Sequence, residues 1–216
     1  MWPLAAAFLC AMLLGLLALL AYGVEPVRHL DAHLFSRISA HRHATAGDWA
    51  DAIAHLADPL PMLGLLAGAC GIALLRRRPG LALAAIAVVA SANLTTQALK
   101  VILSHQKAQE ILGGSAHLDS VAFPSGHATA AASIAFAFAL VVSRGLLPLT
   151  ALVGAAFALA VGGSVVVLGW HFPSDVLAGY LVAAGWGFAA LSAVRAFDDG
   201  EPRGAEVSSR AALPSR

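Results

Sequence analysis

Charge is what this sequence has least of. Only 12% of its 216 residues are Asp, Glu, Lys or Arg, while 59% are hydrophobic; soluble domains carry about 25% charged residues. That scarcity excludes an ordinary water-soluble domain. The 13 basic and 12 acidic residues leave a net charge of +1, far from the concentrated basic face that nucleic acid requires. Cysteine is scarce as well. Cys10 and Cys70 both fall inside apolar runs, where a free thiol packs as a small hydrophobe, so no disulfide framework is implied. The chain also lacks an HExxH motif, a convincing internal repeat and any linker long enough to separate two folding units.

What remains is length without charge. A helix needs roughly 20 apolar residues to cross a hydrocarbon core, and six such segments can be drawn, over residues 3–23, 59–75, 80–103, 124–142, 146–168 and 174–194. The expected fold class is therefore all-α, a polytopic membrane protein built as a six-transmembrane-helix bundle over 1–196, with a disordered cytoplasmic tail over 197–216. The first segment has no basic n-region and exceeds a signal peptide's apolar stretch, so it reads as a retained helix. Arg76, Arg77, Arg78, Arg144 and Arg195 fall in or beside the connections that would share one side with both termini. By the positive-inside rule that side is cytoplasmic.

Parity then sorts the polar residues. Lys100 ends the third segment, Ser125 and His127 open the fourth, His171 follows the fifth and Asp175 begins the sixth, so all converge on the extracytoplasmic face. Ionisable groups at membrane depth usually face the bundle interior or a wet cavity. Asn93, Gln97 and Lys100, spaced four and three apart, share one helix face and fit such a lining, although Lys100 alone would equally suit an interfacial snorkel. In FPSGHATAAAS (123–133), Pro124 suits a first helical turn. Gly126 lets a ligand approach the backbone, and helix-start N–H groups bind anions. Ser125 adds a hydroxyl, and His127 titrates near neutrality, as a proton donor to a leaving oxygen must. In GSVVVLGWHFPSD (163–175), His171 and Asp175 are four apart around Pro173, close enough for the carboxylate to reach one ring nitrogen and leave the other as a nucleophile.

Together these residues resemble the type 2 phosphatidic acid phosphatase superfamily, the lipid phosphate phosphatases that share a core with vanadium haloperoxidases. The family pattern is K-x6-R-P, then P-S-G-H, then S-R-x5-H-x3-D, and the matching stretches here begin at Lys100, Pro124 and Ser164. Three positions depart from it: Lys107 and Val165 stand where the family has arginines, and Ala108 where it has proline. The resemblance implies a phosphatase/haloperoxidase-type core and a metal-independent reaction without cofactor. In it His171 would be the nucleophile that forms a phosphohistidine, Asp175 its orienting acid and His127 the proton donor. Lys100, Lys107, Ser125 and Gly126 would hold the phosphate. A guanidinium grips two oxygens at once, whereas Lys107 is a point charge and Val165 offers nothing, so either a group of the loop after Lys100, such as His105 or His117, compensates, or the substrate differs, as a diphosphate placing another charge near Lys107 would.

The implied function is an integral-membrane lipid phosphate phosphatase acting on an extracytoplasmic phosphomonoester or diphosphate. A phosphotransferase on the same core and a non-catalytic lipid-phosphate binder are the alternatives. Substrate and membrane lipids are the partners, with no nucleic acid, and a bacterial inner membrane is the expected location. In HLDAH (29–33), His29 and His33 are spaced for zinc. Leu30, Leu34 and Ile38 recur every four residues, however, and favour an interfacial amphipathic helix. Trp49 and Trp170 fit an aromatic belt.

Overall fold

The computed structural model describes residues 1–40, 44–103 and 123–200. Among them every regular element is a helix: α1 (Trp2–Gly23), α2 (Glu25–Ser39), α3 (Ala44–His55), α4 (Pro59–Leu75), α5 (Pro79–Leu103), α6 (Gly126–Val141), α7 (Leu147–Val167) and α8 (Pro173–Gly200). All six apolar segments are helical, but they are not six equal spans. Four helices, α1, α5, α7 and α8, are long and apolar enough to cross a membrane. The other two, α4 and α6, have 17 and 16 residues, about 25 Å of helix each, less than a hydrocarbon core of about 30 Å. Helix α8 continues through Gly200, beyond the boundary drawn at 196, and residues 201–216 lie outside the described residues.

The centre of the bundle is α6, which packs against α4, α5, α7 and α8. Its sequence explains this position. Ala128, Thr129, Ala130, Ala131, Ala132 and Ser133 are consecutive and all buried. Side chains that small let neighbouring backbones approach from several directions, as membrane helix packing requires. Helix α1 lies at the periphery against α8, with most of its leucines exposed, as a lipid-facing helix should be.

The long connection before α4 is two helices. The amphipathic α2 exposes Leu30, Leu34 and Ile38, and α3, carrying Asp48, Asp51 and His55 outside the apolar spans, packs on α7. Between α3 and α4 the chain bends by 53°. The cause is local: the sequence there reads Asp58-Pro59-Leu60-Pro61, and residues that precede proline are driven out of the helical region.

The basic clusters gather at one end of the bundle. Arg76, at the C-terminus of α4, donates to the Val141 carbonyl at the C-terminus of α6. Arg195 near the end of α8 lies 4.8 Å from the ring of Trp2 at the start of α1. Lys100 lies near the far end of α5, which starts at Pro79, hence about 30 Å away along the axis.

Candidate active site

Three chain segments meet at that far end, and each is shaped by its own backbone chemistry. Helix α7 ends in a Schellman turn. Gly169 takes the left-handed conformation (φ 79°), its N–H bonds to the Val166 carbonyl at 3.0 Å, and the Trp170 N–H bonds to the Val165 carbonyl at 2.9 Å. Glycine is the residue that tolerates this reversal. The turn delivers His171, whose N–H also reaches the Val165 carbonyl at 3.3 Å.

Helix α8 then starts on a closed set of caps. The Asp175 Oδ2 accepts the Phe172 N–H at 2.9 Å, the back-reaching half of a capping box. Asp31 of α2, buried, accepts both the Ser174 N–H at 3.0 Å and the Ser174 hydroxyl at 2.6 Å. Asp175 lies 3.7 Å from His171 Nδ1, which is ion-pair range and too long for a hydrogen bond. Among the described residues Nδ1 has no hydrogen-bond partner. The carboxylate expected to fold onto the imidazole is therefore shared with the helix cap.

The start of α6 is bonded to the same turn. The Ser125 N–H donates to the Asp175 carbonyl at 2.9 Å, which fixes the PSGH segment to the entrance of α8. Ser125 is the N-cap, its Oγ accepting the Ala128 N–H at 3.4 Å. Pro124 consequently precedes the cap and does not occupy the first helical turn. The Thr129 hydroxyl donates to the Ser125 carbonyl at 2.8 Å. Having spent its one proton there, it must accept from the Thr96 hydroxyl of α5, 2.9 Å away.

Lys100, Gly126 and His127 line one cleft of about 570 Å³ between α4, α5 and α6. Asn93 and Gln97 line it too, as their helical spacing predicts, as does Asp58, and its remaining wall is apolar, including Met62, Leu63, Leu66, Ile86 and Val89. A side chain placed at 126 would meet the Lys100 ammonium at 3.5 Å, so the glycine keeps the space beside that cation open. Ser125 is fully buried, His171 is 3% exposed, and neither lines the cleft. Lys107, Ala108, His105 and His117 lie outside the described residues.

Several site residues escaped the sequence reading. Asp58, at the α3–α4 bend, lies 3.4 Å from His127 Nε2 through Oδ1 and 2.8 Å from His55 Nδ1 through Oδ2. The hydrogen bond to Asp58 and the nearby Asp51 raise the His55 pKa above its ordinary value, and the same bond holds Asp58 below its own. Trp170, assigned to an aromatic belt, instead packs its ring against His127 (5.5 Å) and His55 (6.0 Å). Trp49 does stand exposed. Val165, at the family's arginine position, is completely buried in an apolar cluster with Ala50 and Ala54 of α3 and Ala128 of α6. The only sequence signal for these contacts was the Ala50/Ala54 spacing, which marks a small-residue helix face without naming what it covers.

Among solved structures, the fold is similar to the crystal structure of a transmembrane PAP2 type phosphatidylglycerolphosphate phosphatase from Bacillus subtilis. That match has a TM-score of 0.73 at 23% identity and covers 94% of this chain and 99% of that one. It is also similar to LpxE from Aquifex aeolicus, with a TM-score of 0.59 at 22% identity over 76% of this chain and 95% of that one. No curated protein matches the sequence. The profile of the PAP2 superfamily matches residues 81–199, the stretch that contains Lys100, the PSGH turn and the His171–Asp175 segment, and this multi-pass membrane protein belongs to the PAP2 superfamily.

Proposed function

We propose that this protein is a membrane phosphatase that removes a phosphoryl group from a lipid phosphate, with its site on the extracytoplasmic face and both termini in the cytoplasm. The observation that carries the reading is the two-part cleft. Its polar lining is Lys100, the Gly126 backbone and His127 together with Asp58, Asn93 and Gln97, and the rest of its wall, including Met62, Leu63, Leu66, Ile86 and Val89, is apolar. That is the polarity of a molecule with a phosphate head and a hydrocarbon chain. The sidedness rests on the arginine clusters at the opposite end of the bundle.

The chemistry follows from the two histidines. Asp175 stands 3.7 Å from Nδ1 of His171; once that contact shortens to a hydrogen bond in the reacting complex, Nδ1 carries the proton and Nε2 holds the lone pair. Nε2 attacks phosphorus and the N–P bond forms as the bond from phosphorus to the leaving oxygen breaks. His127 gives its proton to that oxygen, and the phosphoimidazolium charge is balanced by Asp175. In the second half His127, now neutral, takes a proton from water. The hydroxide oxygen bonds to phosphorus, the N–P bond breaks, and phosphate leaves. Lys100 and the Gly126 N–H stabilise the oxygens on which charge accumulates.

Phosphate release by the purified protein in detergent tests this directly. Phosphatidylglycerolphosphate is the first substrate to assay, since the similar Bacillus protein is a phosphatidylglycerolphosphate phosphatase, followed by phosphatidate and a polyprenyl diphosphate. Turnover in excess chelator, abolished in His171→Ala, is the expected result. A native protein no more active than His171→Ala on every substrate would remove the phosphatase reading, and chelator-sensitive turnover would remove the metal-free mechanism.

A further inference from the structure

The geometry points to Asp58 and His55, at the bend between α3 and α4, as a positioning pair that fixes the tautomer and orientation of His127. The inference rests on the phosphatase reading above and adds two residues that lie before the matched family region, 81–199. Its first support is what Asp58 does not do. Asp58 is the N-cap residue of α4 yet makes no side-chain cap hydrogen bond, the bond an N-cap aspartate ordinarily forms. Pro61, at the third helical position, removes one of the two N–H groups it would otherwise reach and leaves that of Leu60. Its two oxygens go to two imidazoles, 2.8 Å from His55 Nδ1 and 3.4 Å from His127 Nε2.

The second support is how the pair is delivered. Ala50 and Ala54 of α3 pack on Val165, where a larger side chain would hold α3 away. The residue that deprives the site of an arginine is thus the one that admits α3 and brings His55 to the Trp170 ring shared with His127. An ionised carboxylate only accepts hydrogen bonds. Facing Nε2, it makes that nitrogen the N–H and leaves Nδ1 as the position that exchanges a proton with the leaving oxygen. The distance of 3.4 Å must shorten in the reacting complex, as catalytic hydrogen bonds commonly do. The other ionisable groups facing His127 are Lys100 from α5 and His171 from the α7–α8 turn, and Asp51 faces His55 from α3.

The test is the pH dependence of kcat and KM for native protein, Asp58→Asn, Asp58→Glu and His55→Gln. Two substrates are used, an alkyl phosphate and a nitrophenyl phosphate. Asp58→Asn is expected to lower kcat on the alkyl phosphate by about 10²-fold, the range of general acid catalysis, and the nitrophenyl phosphate by under tenfold. KM should change little, and the basic limb of the profile should move to lower pH. Asp58→Glu should restore most of the rate, and His55→Gln, which keeps the carboxylate but loosens it, should lower kcat on the alkyl phosphate by less than Asp58→Asn does. Equal losses on both substrates with an unmoved limb would reduce Asp58 to a structural residue and overturn the proposal. If Asp58→Asn does not fold, Asp58→Glu and His55→Gln decide by the leaving-group criterion. Native turnover that His171→Ala abolishes, with Asp58→Asn indistinguishable from native, sinks this inference alone; absence of native turnover sinks both.

Discussion

A valine and an arginine at position 165 make opposite demands on the same space. Val165 is wholly enclosed by Ala50, Ala54 and Ala128, so Val165→Arg would force a guanidinium into a packed apolar cluster and push α3 outward. Overpacking together with an unpaired buried charge should cost about 3 kcal/mol or more. The expected result is a lower melting temperature in detergent and no gain in turnover; increased activity in a stable variant would show that the site is limited by the missing charge. Asp175→Asn makes a finer cut. An amide oxygen can still accept the Phe172 N–H, so melting should hardly change. The balancing charge beside His171 is lost, however, and the equivalent change in a Ser-His-Asp triad costs about 10⁴-fold in kcat. Phosphate release beside a thermal melt separates the two roles.

Helices α6 and α8 carry His127 and Asp175, the proton donor and orienting acid of the proposed reaction, and what sets their separation is Gly179. A Cβ there would come within 2.7 Å of the Ser125 carbonyl and 2.9 Å of the Thr129 hydroxyl oxygen, both in the segment that holds His127. Gly179→Ala should cost about 1–3 kcal/mol and disturb turnover more than stability, since a shift of about 1 Å in a positioned group can cost 10²-fold. Gly163→Ala, which has nothing within 4 Å, is the control; equal effects of the two would remove the spacing argument. The α3–α4 bend makes a prediction of its own. The His55 pKa is raised above 6.5 by Asp58 and Asp51, so its contribution is complete below about pH 6.5 and lost as pH rises through the folded value. Asp58, lowered from 3.8 by the same hydrogen bond, contributes above that value and loses its effect on acidification. The difference in melting temperature between native protein and His55→Gln should therefore be greatest near pH 5–6, shrink toward pH 9, and weaken in high salt because the pair is exposed.

For the whole molecule the two ends differ: the Arg76–Arg78 cluster and Arg195 lie at one pole, and His55, His127 and His171 meet at the other, where Arg28 and Arg37 of α2 also lie. If the arginine end is cytoplasmic, a cysteine introduced by Trp49→Cys, at an exposed position of α3, should react with an impermeant maleimide added outside intact cells. One introduced by Gly145→Cys, in the α6–α7 connection with nothing within 4 Å, should react only after permeabilisation. Replacing Cys10 and Cys70 by alanine, both free thiols, clears the background. Labelling of both positions from the same side would overturn the orientation and place the site differently with respect to its lipid.

By itself the sequence determined the class of molecule and the main site segments. Six apolar runs can lie only in lipid or in a bundle core. The PSGH and His-x3-Asp spacings each act within one turn of chain, where local geometry leaves few choices. The amphipathic α2 was legible for the same reason, from a repeat of four. What only the tertiary structure decided is which distant groups meet them. Asp31 caps α8 from 143 residues away, and Val165 proved to be the floor on which α3 sits. Asp58, at the N-cap position of α4, faces two histidines because a proline bend aims it at them. Those contacts depend on how closely alanine and glycine faces let helices approach, and that distance is a property of pairs of surfaces, which no single stretch of sequence contains.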